Sequence, residues 1–333
     1  MDKLRVFEAF AGIGSQRMAL RNLNIPHEVV AISEIDKFAI KSYMAIHGET
    51  LNLGDISKIK IEDIPEHDLF TYSFPCQDIS MAGKQASLKE GSETRSSLLW
   101  ECKKIIENKK PKYLLMENVK NLISKKHKPY FDKWLKYLEN LGYTNYWKVL
   151  NAKDFGVPHN RERIFVVSIL DNKEQYVFPE AKELDITLED ILEEQVEEKY
   201  FLSDKANEKI ARHGNKIVNN DNPKISCCIH AGYYKMGGRD QQYVKTPYNF
   251  PKCSTSDTMQ GENTQSKILI EKENAPLRIR KLTPLECWRL MGFTDEDFYK
   301  AKNAGISNTQ LYKQAGNSIV VNVLEEIFKN LFL

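Results

Sequence analysis

The stretch LRVFEAFAGIGS, residues 4–15, decides the fold class. Seven residues from Leu4 to Phe10 have strand character, two glycines follow at Gly12 and Gly14, and helical spacing begins at Ser15. That is the opening of a βαβ unit. The same alternation continues to about residue 170, with strands predicted at Leu4–Phe10, Glu28–Ser33, Asp68–Phe74, Lys112–Met116, Thr144–Leu150 and Arg163–Ile169. Helices are predicted between them at Ser15–Leu23, Asp36–His47, Ser97–Asn108 and Pro129–Leu141. The expectation is an α/β fold with a Rossmann-like, mostly parallel sheet.

Beyond Leu170 the pattern changes. TLEDILEEQVEE reads as a short acidic amphipathic helix, and residues 203–275 become rich in Asn, Gly, Ser and Thr, as in a second, smaller domain. LTPLECWRLMGF reads as a helix opened by Thr283 with Pro284 at its first position, and SIVVNVLEEIFKNLFL as an apolar terminal helix. The division expected is 1–175, 176–280, 281–312 and 313–333, the last segment returning to the first domain.

With 333 residues, 41% hydrophobic and 28% charged, the chain can bury a large core. No apolar run approaches the roughly 18 residues of a membrane span, so no membrane association and a cytoplasmic location are expected. Six cysteines (Cys76, Cys102, Cys227, Cys228, Cys253, Cys287) show no CxxC spacing, which predicts free thiols, no metal and no disulfide framework. The net charge of +2 hides an asymmetry: residues 171–198 carry 2 basic and 11 acidic side chains, leaving the remainder mildly basic. A polyanionic partner is allowed by this, and not required.

In an open α/β sheet ligands bind beyond the carboxyl ends of the strands. There this sequence places FAGIGS, then Glu34, Asp55, Pro75-Cys76-Gln77 and Glu117-Asn118-Val119. Gly12 and Gly14 can let a ligand approach the backbone, with Glu34 about where an acid takes a ribose hydroxyl pair, although two glycines also make an ordinary turn. Arg17 stands where a dinucleotide fingerprint has its third glycine, which disfavours a pyrophosphate cofactor and a nicotinamide oxidoreductase. Cys76 leaves its strand through Pro75 among polar neighbours and can serve as a nucleophile if cations lower its pKa; the other five cysteines read as packing. Arg161 and Arg163 in NRERIF are either those cations or a surface strand edge. Glu117 follows four apolar residues, so desolvation can raise its pKa toward neutrality, or it can cap the next helix.

Eight blocks in order (FAGIG, SEID, GDI, SFPCQDIS, MENV, RERIF, RKLTPLECWRLMGF and QAGNSIVVNVL) resemble the successive motifs of the DNA (cytosine-5) methyltransferases, especially those of bacteria and their phages. The resemblance implies methyl transfer from S-adenosylmethionine, leaving S-adenosylhomocysteine, to C5 of a flipped cytosine in a short double-stranded DNA site. It implies Cys76 as the nucleophile at C6, Glu117 at N3 and the exocyclic amine, and Arg163 at O2 with Arg161 beside it. For the cofactor it implies Phe10, Ala11, Gly12, Ile13, Gly14, Glu34, Ile35, Asp55, Ile56, Pro75, Leu98, Asn317 and Ser318. Residues 77–96 match the family's closing loop, with Gln77, Ser80, Lys84 and Arg95 on DNA, while KMGGRDQQYV resembles its recognition loop, with Arg239 or Gln242 filling the gap and Thr258 on phosphate. Two departures stand out: Ala82 where some relatives carry a serine, and the loose STSDTMQG block. A monomer is expected; a restriction endonuclease for the same site is an allowed companion, and the sequence fits a paired enzyme and a solitary one alike. A branch of the family that methylates transfer RNA and a catalytically dead DNA-binding relative are the competing readings.

Overall fold

The computed structural model describes residues 3–75, 98–171, 175–203, 217–218, 225–235, 243–247 and 277–333. Six strands form the main sheet: β1 (Leu4–Ala9), β2 (His27–Ser33), β3 (Leu69–Tyr72), β4 (Tyr113–Val119), β5 (Tyr143–Asn151) and β6 (Glu162–Leu170), in the order β2-β1-β3-β4-β6-β5. Helices α1 (Ser15–Asn22), α2 (Lys37–His47), α3 (Leu99–Lys109) and α4 (Lys128–Asn140) make the crossovers. β1, β2, β3 and β4 pair in parallel, whereas β6 runs antiparallel to both β4 and β5. The reversal follows from the connection: β5 reaches β6 through a short loop and one 3-10 turn at Ala152–Phe155, with no helix to carry the chain back across the sheet.

Central strands covered on both faces need apolar side chains on both. All four residues of β3 are buried, and alternate residues supply opposite layers. Val6, Leu69 and Leu115 join the layer under α1 and the terminal helix, while Phe7, Phe70, Tyr72, Leu114 and Met116 join that under α3 and α4. In the second layer Phe7 stacks on Phe70 and Phe70 on Tyr72 at centroid separations of 5.3 and 5.2 Å, with Trp134 edge-on to Tyr72.

The smaller sheet holds β7 (Ile217–Val218), β8 (Tyr243–Pro247) and β9 (Leu277–Lys281), with β8 in the centre. It leads into α6 (Pro284–Arg289), α7 (Asp295–Asn303), α8 (Asn308–Asn317) and α9 (Val321–Phe332) after the single turn α5 (Leu188–Ile191). Thr283 and Glu286 form a capping box on α6, and Glu286 makes a fully buried two-bond pair with Arg280 of β9 at 2.7 and 2.8 Å. The acidic helix expected over TLEDILEEQVEE is only this one turn. Past Ile191 the Glu193 amide donates to Glu286 and its carboxylate accepts the Thr283 hydroxyl, so tertiary partners take the groups a helix would have used. The terminal helix likewise starts three residues later than its apolar run suggests, because Ser318–Val320 are extended. Tyr176 and Phe178 are buried in the same layer as α9, so the chain stays on the large sheet past residue 176.

Candidate active site

The carboxyl ends of β1, β2, β3 and β4 open into a cavity of about 310 Å³. Its first wall is the turn after β1. Phe10, a non-glycine residue, has φ 55°, Gly12 φ 57° and Gly14 φ 82°, left-handed conformations that turn the chain sharply, with the Phe10 and Ala11 amides donating to the Ser33 carbonyl at the end of β2. The Glu34 carboxylate fixes this turn: one oxygen accepts the Gly12 amide at 2.9 Å, the other the Ile35 and Asp36 amides at 2.8 Å each. Asn52 holds Glu34 in turn, accepting its amide and donating to its carbonyl.

Around that anchor Ile35 stands 73% exposed at the cavity edge, and Asp55 turns its carboxylate on the Ser57 amide and hydroxyl, whose hydrogen bonds hold its pKa low. Phe10, Ala11, Gly12, Ile13, Glu34, Ile35, Asp55, Ile56, Pro75, Leu98, Asn317 and Ser318 all line the cavity. Gly14 does not. It caps α1, and a Cβ there would overlap the His47 ring, so its glycine serves packing behind the turn. A Cβ on Gly12, in contrast, would meet no atom within 4 Å. An open glycine, a carboxylate with one acceptor position to spare, and apolar side chains at Ile35 and Leu98 on the cavity wall fit an adenosine-type cofactor with hydroxyls and no phosphate.

The opposite wall carries the charge. Glu117, on β4 and 9% exposed, lies 3.2 Å from Arg163 Nε on the neighbouring β6. Burial raises its pKa, opposed by Arg163, Arg161 and a hydrogen bond from Ser73. The carboxyl can therefore hold or release a proton nearer neutrality than a solvated one. Asn118, next in the strand, donates to the Phe74 carbonyl at 3.1 Å and fixes the β3 end that runs through Pro75 into Cys76. Cys76, Gln77, Ser80, Lys84, Arg95, Arg239, Gln242 and Thr258 lie outside the described residues, as does Ala82.

Arg161 lines the cavity but spends its guanidinium on backbone carbonyls: Ile229 O at 2.7 Å, Gly316 O at 3.0 Å and Ser318 O at 2.9 Å. It joins the loop before β6 to Ile229 and to the end of α8 and the bend after it. Sequence reasoning missed three further features. Gln310, Lys313 and Gln314 of α8 add a wall; their i, i+3, i+4 spacing showed one helical face but not what it faces. Gly316 lets α8 press on residues 230–231, where a Cβ would overlap Ala231 N and His230 C. His159 is wholly buried, its Nδ1 on Leu290 O and its Nε2 accepting the Ile229 amide, both at 3.0 Å; burial and nearby Arg161 push its pKa down to about 3, so the ring is neutral. Among the described residues no group of His, Cys, Asp and Glu is arranged to hold a metal.

Comparison with known proteins agrees with this geometry. Residues 4–333 match the model of the C-5 cytosine-specific DNA methylase family. The type II methyltransferase M2.ScrFI of Lactococcus lactis subsp. cremoris is 43% identical, with 99% of each chain covered. The orphan methyltransferase M.SPBetaI of Bacillus phage SPbeta is 34% identical over 99% of this chain and 98% of its own. Among solved structures, an Entamoeba histolytica methyltransferase superposes with TM-score 0.77 at 21% identity, covering 100% of this chain and 98% of its own, and the Dnmt2 methyltransferase of S. pombe with 0.73 at 23%, covering 99% and 100%. At those identities the likeness shows the shared fold alone. Full-length family match, close relatives and a sheet-edge cavity lined by the glycine turn, Glu34, Glu117 and Arg163 converge: the chain belongs to the C-5 cytosine-specific DNA methylase family.

Proposed function

We propose that this enzyme transfers a methyl group from S-adenosylmethionine to C5 of a cytosine flipped out of a short double-stranded DNA site, with Cys76 as nucleophile. The observation that carries the reading is the Glu117–Arg163 pair, 3.2 Å apart on one wall of a cavity whose other wall is the Gly12–Glu34 turn. C5 of cytosine is a weak nucleophile inside an aromatic ring, so direct methylation is slow. Addition of the Cys76 thiolate to C6 breaks the aromaticity and leaves C5 electron-rich. Glu117 gives its proton to N3 as the C6–S bond forms, and Arg163 holds O2. The cofactor supplies an electrophilic methyl on a sulfonium sulfur. Once C5 carries the methyl, loss of the C5 proton to a base, for which water suffices, lets the C6–S bond break; the thiolate is regenerated and N3 returns its proton to Glu117.

In this reading Phe10–Ile13, Glu34, Ile35, Asp55, Ile56, Leu98, Asn317 and Ser318 hold the cofactor, and Arg161 keeps the two halves of the pocket together. No metal is required. Residues 203–275 carry target recognition, with Arg239, Gln242 and Thr258 as DNA contacts, and Gln77, Ser80, Lys84 and Arg95 approach DNA from the loop after Cys76. The protein acts as a monomer in the cytoplasm of a bacterial or phage-infected cell, alongside a restriction endonuclease for the same site; among the described residues no helix is long and apolar enough to cross a membrane. Transfer RNA is the less supported substrate, given relatives named type II methyltransferases at up to 43% identity.

Duplex DNA carrying 5-fluorocytosine at the target tests the mechanism, because fluorine cannot leave as a cation and the covalent adduct accumulates. Wild-type protein should form an adduct stable to denaturation. Cys76→Ser should form none while binding S-adenosylmethionine within about threefold of wild type, as expected for a group outside the cofactor pocket. Turnover by Cys76→Ser at a wild-type rate would contradict the assignment.

A further inference from the structure

Ile229, 1% exposed, has both of its backbone polar groups taken by side chains from the β5–β6 loop. His159 Nε2 accepts its amide and Arg161 Nη1 donates to its carbonyl. Three residues earlier Ser226 is stitched to the same loop, its amide donating to Pro158 O at 2.7 Å and its carbonyl accepting the Asn160 amide at 2.8 Å. Between these stitches Cys228 places its sulfur 3.6 Å from Arg161 Nη1 and 3.9 Å from Arg163 Nη2. Arg163 is thereby bounded on three sides: Glu117 at Nε, the Glu162 carbonyl at Nη1 and Cys228 at Nη2.

We propose that His159, which lines no part of the cavity, is a positioning residue for methyl transfer: by holding the Ile229 amide it sets Cys228 against Arg163 and so fixes the arginine that grips the target base. The inference rests on the reading of Arg163 given above. The geometry requires a particular ring. Nε2 must accept, because its partner is a backbone amide, so Nδ1 carries the proton and donates to Leu290 O. A neutral histidine is the one side chain that offers an acceptor and a donor at these two positions, and its bond to Leu290, the residue after α6, ties the joint to the small domain. A pocket side chain displaced by about 1 Å can lower a rate on the order of 100-fold.

Two near-isosteres separate the ring's two bonds. The amide of His159→Asn sits at the Nδ1 position and can keep Leu290 but cannot reach Ile229. The longer His159→Gln places its amide oxygen near the Nε2 position, keeping the Ile229 amide and losing Leu290. Single-turnover methylation of duplex DNA, cofactor affinity and thermal midpoint are measured for both and for Arg163→Ala. The expected result is a kcat loss of about 10- to 100-fold for His159→Asn and under about fivefold for His159→Gln, at similar midpoints and unchanged cofactor affinity. Equal kcat losses tracking the midpoints, or wild-type kcat in His159→Asn, would overturn the proposal. If Arg163→Ala keeps wild-type activity, the base-pocket reading itself fails; if Arg163→Ala is inactive while His159→Asn is active, only the present inference does. Should His159→Asn not accumulate as folded protein, amide exchange in the wild-type protein decides. The Ile229 amide must then exchange slowly, and rapid exchange would overturn the joint.

Discussion

Removing the guanidinium of Arg161 separates two roles that its position at the cavity allows. The charge is fully buried and makes three hydrogen bonds of 2.7, 3.0 and 2.9 Å to the carbonyls of Ile229, Gly316 and Ser318. Arg161→Met keeps most of the stem and deletes all three. A hydrogen bond from a charged donor contributes about 1.5–3 kcal/mol, and an orphaned buried carbonyl costs about 1–3 kcal/mol. These quantities overlap and do not add, and the variant no longer bears the desolvation of a buried charge. The net loss expected is about 3–5 kcal/mol, a large share of the 5–15 kcal/mol by which domains are stable. Arg161→Lys, whose ammonium can reach only some of the carbonyls, should fall between. Urea unfolding followed by the fluorescence of the four tryptophans gives the numbers, and calorimetry with S-adenosylmethionine should show weakened binding because Gly316 and Ser318 lose their tie. If Arg161→Met unfolds within about 1 kcal/mol of wild type yet transfers no methyl group, the clamp is not what Arg161 is for, and a direct contact with substrate would replace it.

Glu117→Gln should lower kcat by about 10²–10⁴-fold with cofactor affinity within about threefold. In wild type the single-turnover rate should decline as pH rises through the raised carboxyl pKa, and this limb should vanish in the variant. Gly316→Ala reverses a common rule: alanine favours a helix over glycine by up to about 1 kcal/mol, but here the new methyl meets the backbone of residues 230–231, so thermal unfolding should show a loss of stability. Glu8 is wholly buried under the glycine turn, where desolvation raises its pKa from 4.5 to about 7 against a hydrogen bond from Tyr43. The folded state thus holds a proton the unfolded chain releases, so stability is greatest below pH 4.5 on this group's account and falls, by about 3 kcal/mol at most, as pH rises to 7. Glu8→Gln should flatten the unfolding free energy between pH 5 and 7; an unchanged slope would remove Glu8 as its source.

Much of this architecture can be read from the chain because its strands are buried on both faces. Runs such as Leu69–Tyr72 are apolar throughout and stand out from the amphipathic helices beside them, so their ends fall within a few residues of expectation. The residues after each strand were legible for the same reason: a sheet edge gathers whatever follows its strands. The direction of β6 was not, since pairing orientation depends on which neighbour a strand meets. The acidic helix was over-read because its pattern competes with Thr283 and Glu286, about 90 residues away. Arg161 and His159 show the same limit more sharply. Arg161 looked like one more cation beside Arg163, and the carbonyls it serves lie 68, 155 and 157 residues along the chain. Asn317 and Ser318 came only from resemblance, because no local pattern announces that the end of α8 packs back beside α2 and lines the same cavity as the glycine turn.

The central claim is a chemical one, that the product is 5-methylcytosine in duplex DNA. Purified protein, S-adenosylmethionine carrying a labelled methyl group, and duplex DNA or transfer RNA in separate reactions test it directly, with nucleoside mass spectrometry of each product. The account predicts label in 5-methylcytidine of the deoxy series, from the duplex alone, at a fixed sequence context revealed by bisulfite sequencing. Label found in transfer RNA and absent from DNA, or on the exocyclic nitrogen of cytosine in place of C5, would contradict it.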